Sequence, residues 1–461
     1  MVKLIPLTTV LVTALFSILS NAMSLTTNSN TSICDDTALI QQGILDYYSG
    51  DGEFQSPYYW WEGGLAFGLM IENVYLCEND TFTYLLQEAL IEQSGTDWDF
   101  MPSSQTMVEG NDDQGVWGLT LMTAAERNFS RAANGTESRD DIPSWITMVQ
   151  AIYNTMLARW DTTYCNGGLR WQIYTWNNGY NYKNTIANGC LFNIAARLGR
   201  YFNNQTYLDE AEKVFDWLVD VDFVSLNGSS SKIYDGATTT TNCTYMTTIE
   251  WSYNYGIILG GAAYMYNATN GSATWESRVS NLWDGAVSAF FNEDGIMYEQ
   301  QCQAAKSCNT DQRAFKSLFS MMLEYTYILV PSLKDEIYEK LTTSAVAAAG
   351  SCDGGYDGHT CGMNWFNATN DGYYGLGEQL CALGVIQSLL GEDRPSMYKE
   401  STNEYMATGD ASAGTSTSES NNEEALLENQ ITVTTGDRVG AAFITAIVLS
   451  ILIAGSAAML F

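Results

Sequence analysis

The residues best equipped for chemistry are two adjacent acids, Asp112 and Asp113, in the run Gly110-Asn111-Asp112-Asp113-Gln114-Gly115-Val116-Trp117. Cleaving a glycosidic bond needs two carboxyls, one protonated to help the leaving oxygen depart and one ionised to attack or to activate water. Adjacent acids can supply both, because like charges raise one pKa while amide N–H groups at a helix start hold the other low. The same residues also suit a helix start, with Asn111 as N-cap and acids in a first turn favoured by the helix dipole. A lone Asn-Asp-Asp would read as a cap; its company shifts the reading. Four other segments mix aromatics with amides and charges: Tyr58-Tyr59-Trp60-Trp61-Glu62-Gly63-Gly64, Arg170-Trp171-Gln172 with Trp176, Asn184 and Asn188, Glu250-Trp251-Ser252-Tyr253-Asn254, and Asp311-Gln312-Arg313. Aromatic faces stack on the C–H faces of a pyranose, while amides and acids bond its hydroxyls. Trp60, Asn111, Gln114, Trp117, Trp171, Gln172, Trp176, Asn184, Asn188, Tyr253, Asn254, Asp311 and Arg313 are therefore the candidate sugar ligands.

Each of these segments opens an apolar helical stretch. Tyr207, Leu208, Ala211, Val214, Phe215, Leu218 and Val219 mark one amphipathic helix, with Thr206 and Asp209 as a capping-box-like start. Asn254 to Tyr266, rich in Gly and Ala, is apolar all round and belongs among other helices. Pairing each amphipathic stretch with the buried one after it gives 34–48 with 58–76, 81–94 with 112–128, 143–160 with 185–202, 206–222 with 251–266, 274–291 with 312–329, and 333–349 with 373–390. Six hairpins predict an all-α (α/α)6 barrel, since ring closure hides the inner faces that an open array would have to cap. Loops before the inner helices then gather at one end as a cleft.

The ends read as addresses. Residues 1–22, with Lys3, an apolar run and small residues before the cut, predict a cleaved secretory signal; 23–400 is the barrel domain. Residues 401–438, rich in Ser, Thr, Asn and Glu, predict a solvated stalk. The apolar stretch 439–461 has no basic residue behind it, so it predicts a glycosylphosphatidylinositol (GPI) signal and membrane attachment through that lipid.

Composition agrees. The 461 residues carry 20 Lys+Arg against 53 Asp+Glu, a formal charge of −33 that argues against nucleic acid as a partner. With 46% hydrophobic residues the chain has material for a large core. The one histidine, His359, argues against a His-based triad or zinc site and leaves acid–base work to carboxylates. Ten cysteines in an exported chain predict disulfides throughout, with Cys302–Cys308 and Cys352–Cys361 near enough to close local loops. Their spacing does not suit zinc. Asp353-Gly354-Gly355-Tyr356-Asp357 lacks the calcium-loop pattern, and no metal or cofactor is expected. Ten Asn-x-Ser/Thr sequons, at Asn30, Asn79, Asn128, Asn134, Asn204, Asn227, Asn242, Asn267, Asn270 and Asn367, fit a secreted glycoprotein.

The run Gly110 to Trp117, with Tyr182-Lys183-Asn184-Thr185-Ile186-Ala187-Asn188-Gly189, Trp251-Ser252-Tyr253-Asn254-Tyr255-Gly256 and Phe315-Lys316, resembles glycoside hydrolase family 76 over residues 34 to 391. The resemblance implies an α-1,6-mannanase on an (α/α)6 barrel, a retaining double displacement with Asp112 as nucleophile and Asp113 as acid/base, and Lys316 as a further binding residue. Signal, stalk and tail are similar to the family's fungal cell-wall branch. That branch implies α-1,6-mannan or the mannose core of GPI glycans as donor and wall β-glucan as an alternative acceptor to water. A non-catalytic glycan-binding or scaffolding wall protein is the competing class, because folds outlast their chemistry.

Overall fold

The computed structural model describes residues 23–131, the two-residue strands Ala133–Asn134 and Glu137–Ser138, and residues 142–394, 397–400, 408–415 and Thr445. The expected signal 1–22, most of the expected stalk and, apart from Thr445, the tail 439–461 lie outside the described residues.

Twelve α-helices are present among the described residues: α1 (Asn30–Leu45), α2 (Trp60–Cys77), α3 (Thr83–Gln93), α4 (Asn111–Glu126), α5 (Trp145–Ala158), α6 (Thr185–Phe202), α7 (Gln205–Asp220), α8 (Ser252–Ala268), α9 (Ala273–Phe290), α10 (Thr310–Leu329), α11 (Lys334–Gly350) and α12 (Leu376–Gln387). The even-numbered helices pack in succession, and α12 returns to α2, closing an inner ring of six; the odd-numbered helices pack around it. This is the (α/α)6 barrel. The division follows the sequence pattern: α7 buries one stripe, Tyr207, Leu208, Ala211, Val214, Phe215, Trp217 and Leu218, whereas α8 is buried continuously from Asn254 to Met265. Small residues let the inner helices approach. A Cβ on Gly256 would stand 2.8 Å from Phe319 Cα, and one on Gly377 2.8 Å from the Arg313 carbonyl carbon.

Local details differ from expectation. The cap of α7 is Asn204, whose side chain accepts from Thr206 N, so the start lies two residues earlier than Thr206. Helix α12 begins at Leu376 and its expected last turn is the 3-10 segment Ser388–Glu392. The cysteines need a correction. Four disulfides form, Cys34–Cys77, Cys165–Cys243, Cys302–Cys308 and Cys352–Cys361, but Cys190 and Cys381 are buried free thiols. Both lie on inner helices, Cys190 against Gly115 of α4 and Cys381 against the Arg313 carbonyl, where a cysteine serves as a small packing residue.

Near the C-terminal ends of the inner helices the core is charged. Arg127 pairs with Glu72 (2.6 Å) and Glu324 (3.2 Å), and Arg197 with Glu126 (2.7 Å). Arg200 completes the set 4.0 Å from Glu126, while Tyr264 and Tyr325 donate their hydroxyls to Glu126 and Glu72. Residues 397 and 398 cover this end: Arg200 donates to Met397 O, and Tyr398 N donates to Glu126 O. Residues 408–415, inside the expected stalk, lie on α5, where Asn154 donates to the carbonyls of Ala411 and Ala413.

Candidate active site

A pocket of about 480 Å³ lies at the other end, built from the first two turns of five inner helices. Trp60 and Trp61 come from α2, Asp112, Asp113 and Val116 from α4, Ile186 from α6, Tyr253 from α8, and Asp311 and Phe315 from α10. The segments between helices add Tyr59, Gln105, Val108, Trp171, Gln172 and Asp235 from loops and Tyr182 and Asn184 from a strand. A three-stranded sheet, ordered Tyr182–Asn184, Gly236–Thr238, Met246–Thr247, carries one wall. Lys183 locks its first strand, burying its ammonium among the carbonyls of Asp161, Tyr164 and Gly167 at 2.6–2.8 Å.

Asp112 and Asp113 therefore share the pocket, and Asp113 also caps its helix. The cap residue is Gly110, in place of Asn111, and its N–H donates to Asp113 Oδ2 at 2.7 Å. Asp112 Oδ1 accepts from Asp113 N (3.0 Å), and Oδ2 from Asn184 Nδ2 (3.0 Å). Asn184 is itself immobilised as the N-cap of α6, accepting from Ala187 N. Capping and pocket lining are thus compatible uses of the same pair.

Of the candidate sugar ligands, Trp60, Trp171, Gln172, Asn184, Tyr253 and Asp311 line the pocket. The others do not. Asn111 bonds Arg170 O and Arg159; Gln114 bonds Asp99 O, Thr155 and Arg159. Trp117 is wholly buried between Trp60 and Phe100, Trp176 stacks on Tyr174, and Asn188 spans Leu169 N and O. Asn254 is buried within α8. Arg313 pairs with Glu378 and donates to Tyr374 O; Lys316 is buried over the Trp365 ring and donates to Met363 O. Trp176 belongs to a loop; the other seven lie on inner helices, where periodicity sends neighbours of a lining residue into the barrel wall, one layer behind the pocket.

Asp235 is the acid that the sequence reading missed. It lies in the long connection from α7 to α8, outside any helix start, and faces the pocket through a 2.7 Å hydrogen bond from Tyr182 Oη. Four carboxyls consequently line the pocket with no Lys or Arg among the lining residues. Burial lifts Asp112 well above the usual carboxylate range, the charge of Asp113 adds to this, and the Asn184 amide and Asp113 N–H oppose it. Burial lifts Asp113 to about 7 against the Gly110 N–H, with Asp311 adding to the rise. The two acids titrate as a pair, the charge of Asp113 making Asp112 harder to ionise.

The model of glycosyl hydrolase family 76 matches residues 32–401, and the chain belongs to that family of glycoside hydrolases. The chain is 58% identical to mannan endo-1,6-alpha-mannosidase DFG5 of Saccharomyces cerevisiae, over 96% of this chain and 95% of that protein. Among solved structures it is similar to Dfg5 from Chaetomium thermophilum in complex with glucosamine, with 35% identity and a TM-score of 0.78 over 84% of this chain and 97% of that one. The fold is shared with an α-1,6-mannanase of Salegentibacter sp. HEL1_6, at 14% identity and a TM-score of 0.62 over 78% of this chain and 99% of that one. That mannanase was solved with α-1,6-mannotriose as an inactive variant in which two consecutive aspartates are replaced by asparagine.

Proposed function

We propose that the chain is a retaining, endo-acting α-1,6-mannosidase or transglycosidase of the fungal cell wall, acting on the mannose core of GPI-anchored mannoproteins and passing it to water or to wall glucan. The observation that carries this reading is the Asp112–Asp113 pair, held within one pocket by separate backbone and amide donors. Asp112 accepts two N–H bonds that oppose the lift from burial, and the family resemblance makes it the nucleophile that attacks the anomeric carbon. Asp113 accepts one N–H bond and has a pKa near 7, so it donates its proton to the departing glycosidic oxygen. Asp113 then takes a proton from water or a sugar hydroxyl as that oxygen displaces Asp112 and closes the second inversion. Tyr253, stacked on Phe315 at 3.8 Å, and Trp60 and Trp171 offer aromatic faces for the sugar rings, with Gln172, Asp235 and Asp311 for hydroxyls. The two consecutive aspartates of the bacterial mannanase and the name of the yeast relative support the same donor.

With the expected signal 1–22 and lipid-anchor tail 439–461, this reading has the enzyme at the outer face of the plasma membrane and in the wall. Deleting 439–461 is then expected to release a soluble, secreted form, and continued membrane retention would contradict the anchor. The chemistry is tested by mass spectrometry of protein incubated with α-1,6-mannooligosaccharides, with and without a β-glucan acceptor. Wild type is expected to shorten or transfer the donor; an Asp112→Asn, Asp113→Asn double variant is expected to do neither. Equal products from both proteins would refute the reading.

A further inference from the structure

Behind the pocket, a residue outside every sequence motif touches both neighbours of the paired acids. Arg159 is the C-cap of outer helix α5, where the helix carbonyls favour a cation. Its Nε donates to Asn111 Oδ1 at 2.7 Å and its Nη2 to Gln114 Oε1, so one planar guanidinium grips the residues before and after Asp112-Asp113. The far sides of those amides are fastened too: Asn111 Nδ2 to Arg170 O (2.9 Å), Gln114 Nε2 to Asp99 O (2.7 Å). Arg159 itself is outside the pocket lining. Beside it lies Glu109, 1% exposed, with neither carboxyl oxygen hydrogen-bonded and with Asp113, Asp99 and Arg159 as charged neighbours.

We propose that Arg159 is a positioning residue for the paired aspartates: its fork sets the first turn of α4 through Asn111 and Gln114, and its charge offsets the acids gathered behind the pocket. The inference rests on the role proposed above for the pair. A lysine cannot reproduce it, because an ammonium lacks the rigid two-pronged geometry that reaches both amides. The groups facing the pair are Glu109 from the preceding loop, Asp311 from α10, Cys190 from α6 and, beside Asp112, Tyr253 from α8; Asp99 and Tyr174 face Arg159. All are acids or neutral groups, so Arg159 is the base in that set.

Two variants separate fork from charge. Arg159→Lys keeps the charge and is expected to lower kcat about 10²-fold, the scale of a misplacement of about 1 Å, with KM within about threefold and the pH optimum unmoved. Arg159→Met also removes the cation that holds Glu109 and Asp99 down, and the uncompensated negative charge this leaves beside Asp113 is expected to move the pH optimum upward by about half a unit. Kinetics are measured on α-1,6-mannotriose with folding checked by thermal unfolding. A folded Arg159→Lys variant with kcat within threefold of wild type, or an Arg159→Met variant with an unmoved optimum, overturns the proposal. Absence of wild-type turnover counts against the function proposed above instead. Infrared titration of the aspartate carboxyls then decides the role of Arg159: an upward-shifted midpoint in Arg159→Met supports it and an unchanged one overturns it. If Arg159→Met does not fold, the same titration in Arg159→Lys with an upward shift as large as about half a unit refutes the charge role, and an unmoved midpoint with a kcat loss supports it.

Discussion

The two ends of the barrel bury the same kind of residue under opposite conditions. At the closed end Glu72, Glu126 and Glu324 are matched by Arg127, Arg197 and Arg200 and by tyrosine hydroxyls. At the open end Asp112, Asp113, Asp235 and Asp311 meet amides, an indole, a phenol and one another, with no base among the lining residues. Pairing commits an acid to holding helices together. Leaving it to neutral donors allows its proton affinity to rise to where a proton can be passed. The same inner helices thus end in ion pairs at one terminus and in acids without a basic partner among the pocket-lining residues at the other.

The largest effect should come from the open end. Asp112→Asn is expected to cut kcat by about four orders of magnitude or more, with mannooligosaccharide affinity within about tenfold, because Asn keeps the shape but cannot attack. Thermal unfolding should show no loss of stability, since one of two repelling acids is gone. At the closed end the outcome inverts. Arg127→Met leaves Glu72 and Glu324 unpaired and is expected to cost about 3–5 kcal/mol in denaturant unfolding, with kcat per folded molecule unchanged. A catalytic loss without a stability loss there would break the contrast.

Smaller changes sharpen it. Asn184→Ala removes one charge-assisted donor from Asp112 and is expected to lower kcat about 10- to 100-fold, with the acid limb of the pH profile moving upward. Stability should also depend on pH in a set direction. Asp113 at about 7 and Glu62 and Glu299 at about 8 lie above their unfolded values, so between about pH 4 and 8 the folded chain binds more protons than the unfolded one. Stability is expected to fall as pH rises through that window, giving a higher unfolding temperature at pH 5 than at pH 8, and Asp113→Asn should flatten part of the slope.

The helices were readable because each inner or outer segment carries its own apolar period, and the predicted pairs fall within a few residues of α1 to α12. The acids of the pocket were readable only where they open a helix, as Asp112, Asp113 and Asp311 do. Asp235 arrives through a loop-borne sheet, and Arg159 from the far end of an outer helix, 48 residues from Asn111 in sequence. Lys316 and Arg313 carried the right chemistry for a sugar, yet their position one layer behind the pocket depends on packing that spacing alone does not encode.

The central claim, that the unpaired acids at the open end perform a two-step displacement with distinct roles, is tested most directly by azide rescue of Asp113→Asn. With an α-mannoside bearing a very good leaving group, this variant should still form the covalent intermediate, and azide should restore turnover and yield the α-mannosyl azide with retained configuration. Rescue with retention in Asp112→Asn instead would reverse the two roles. Full activity in both variants would contradict the account, leaving the pair as a helix cap and nothing more.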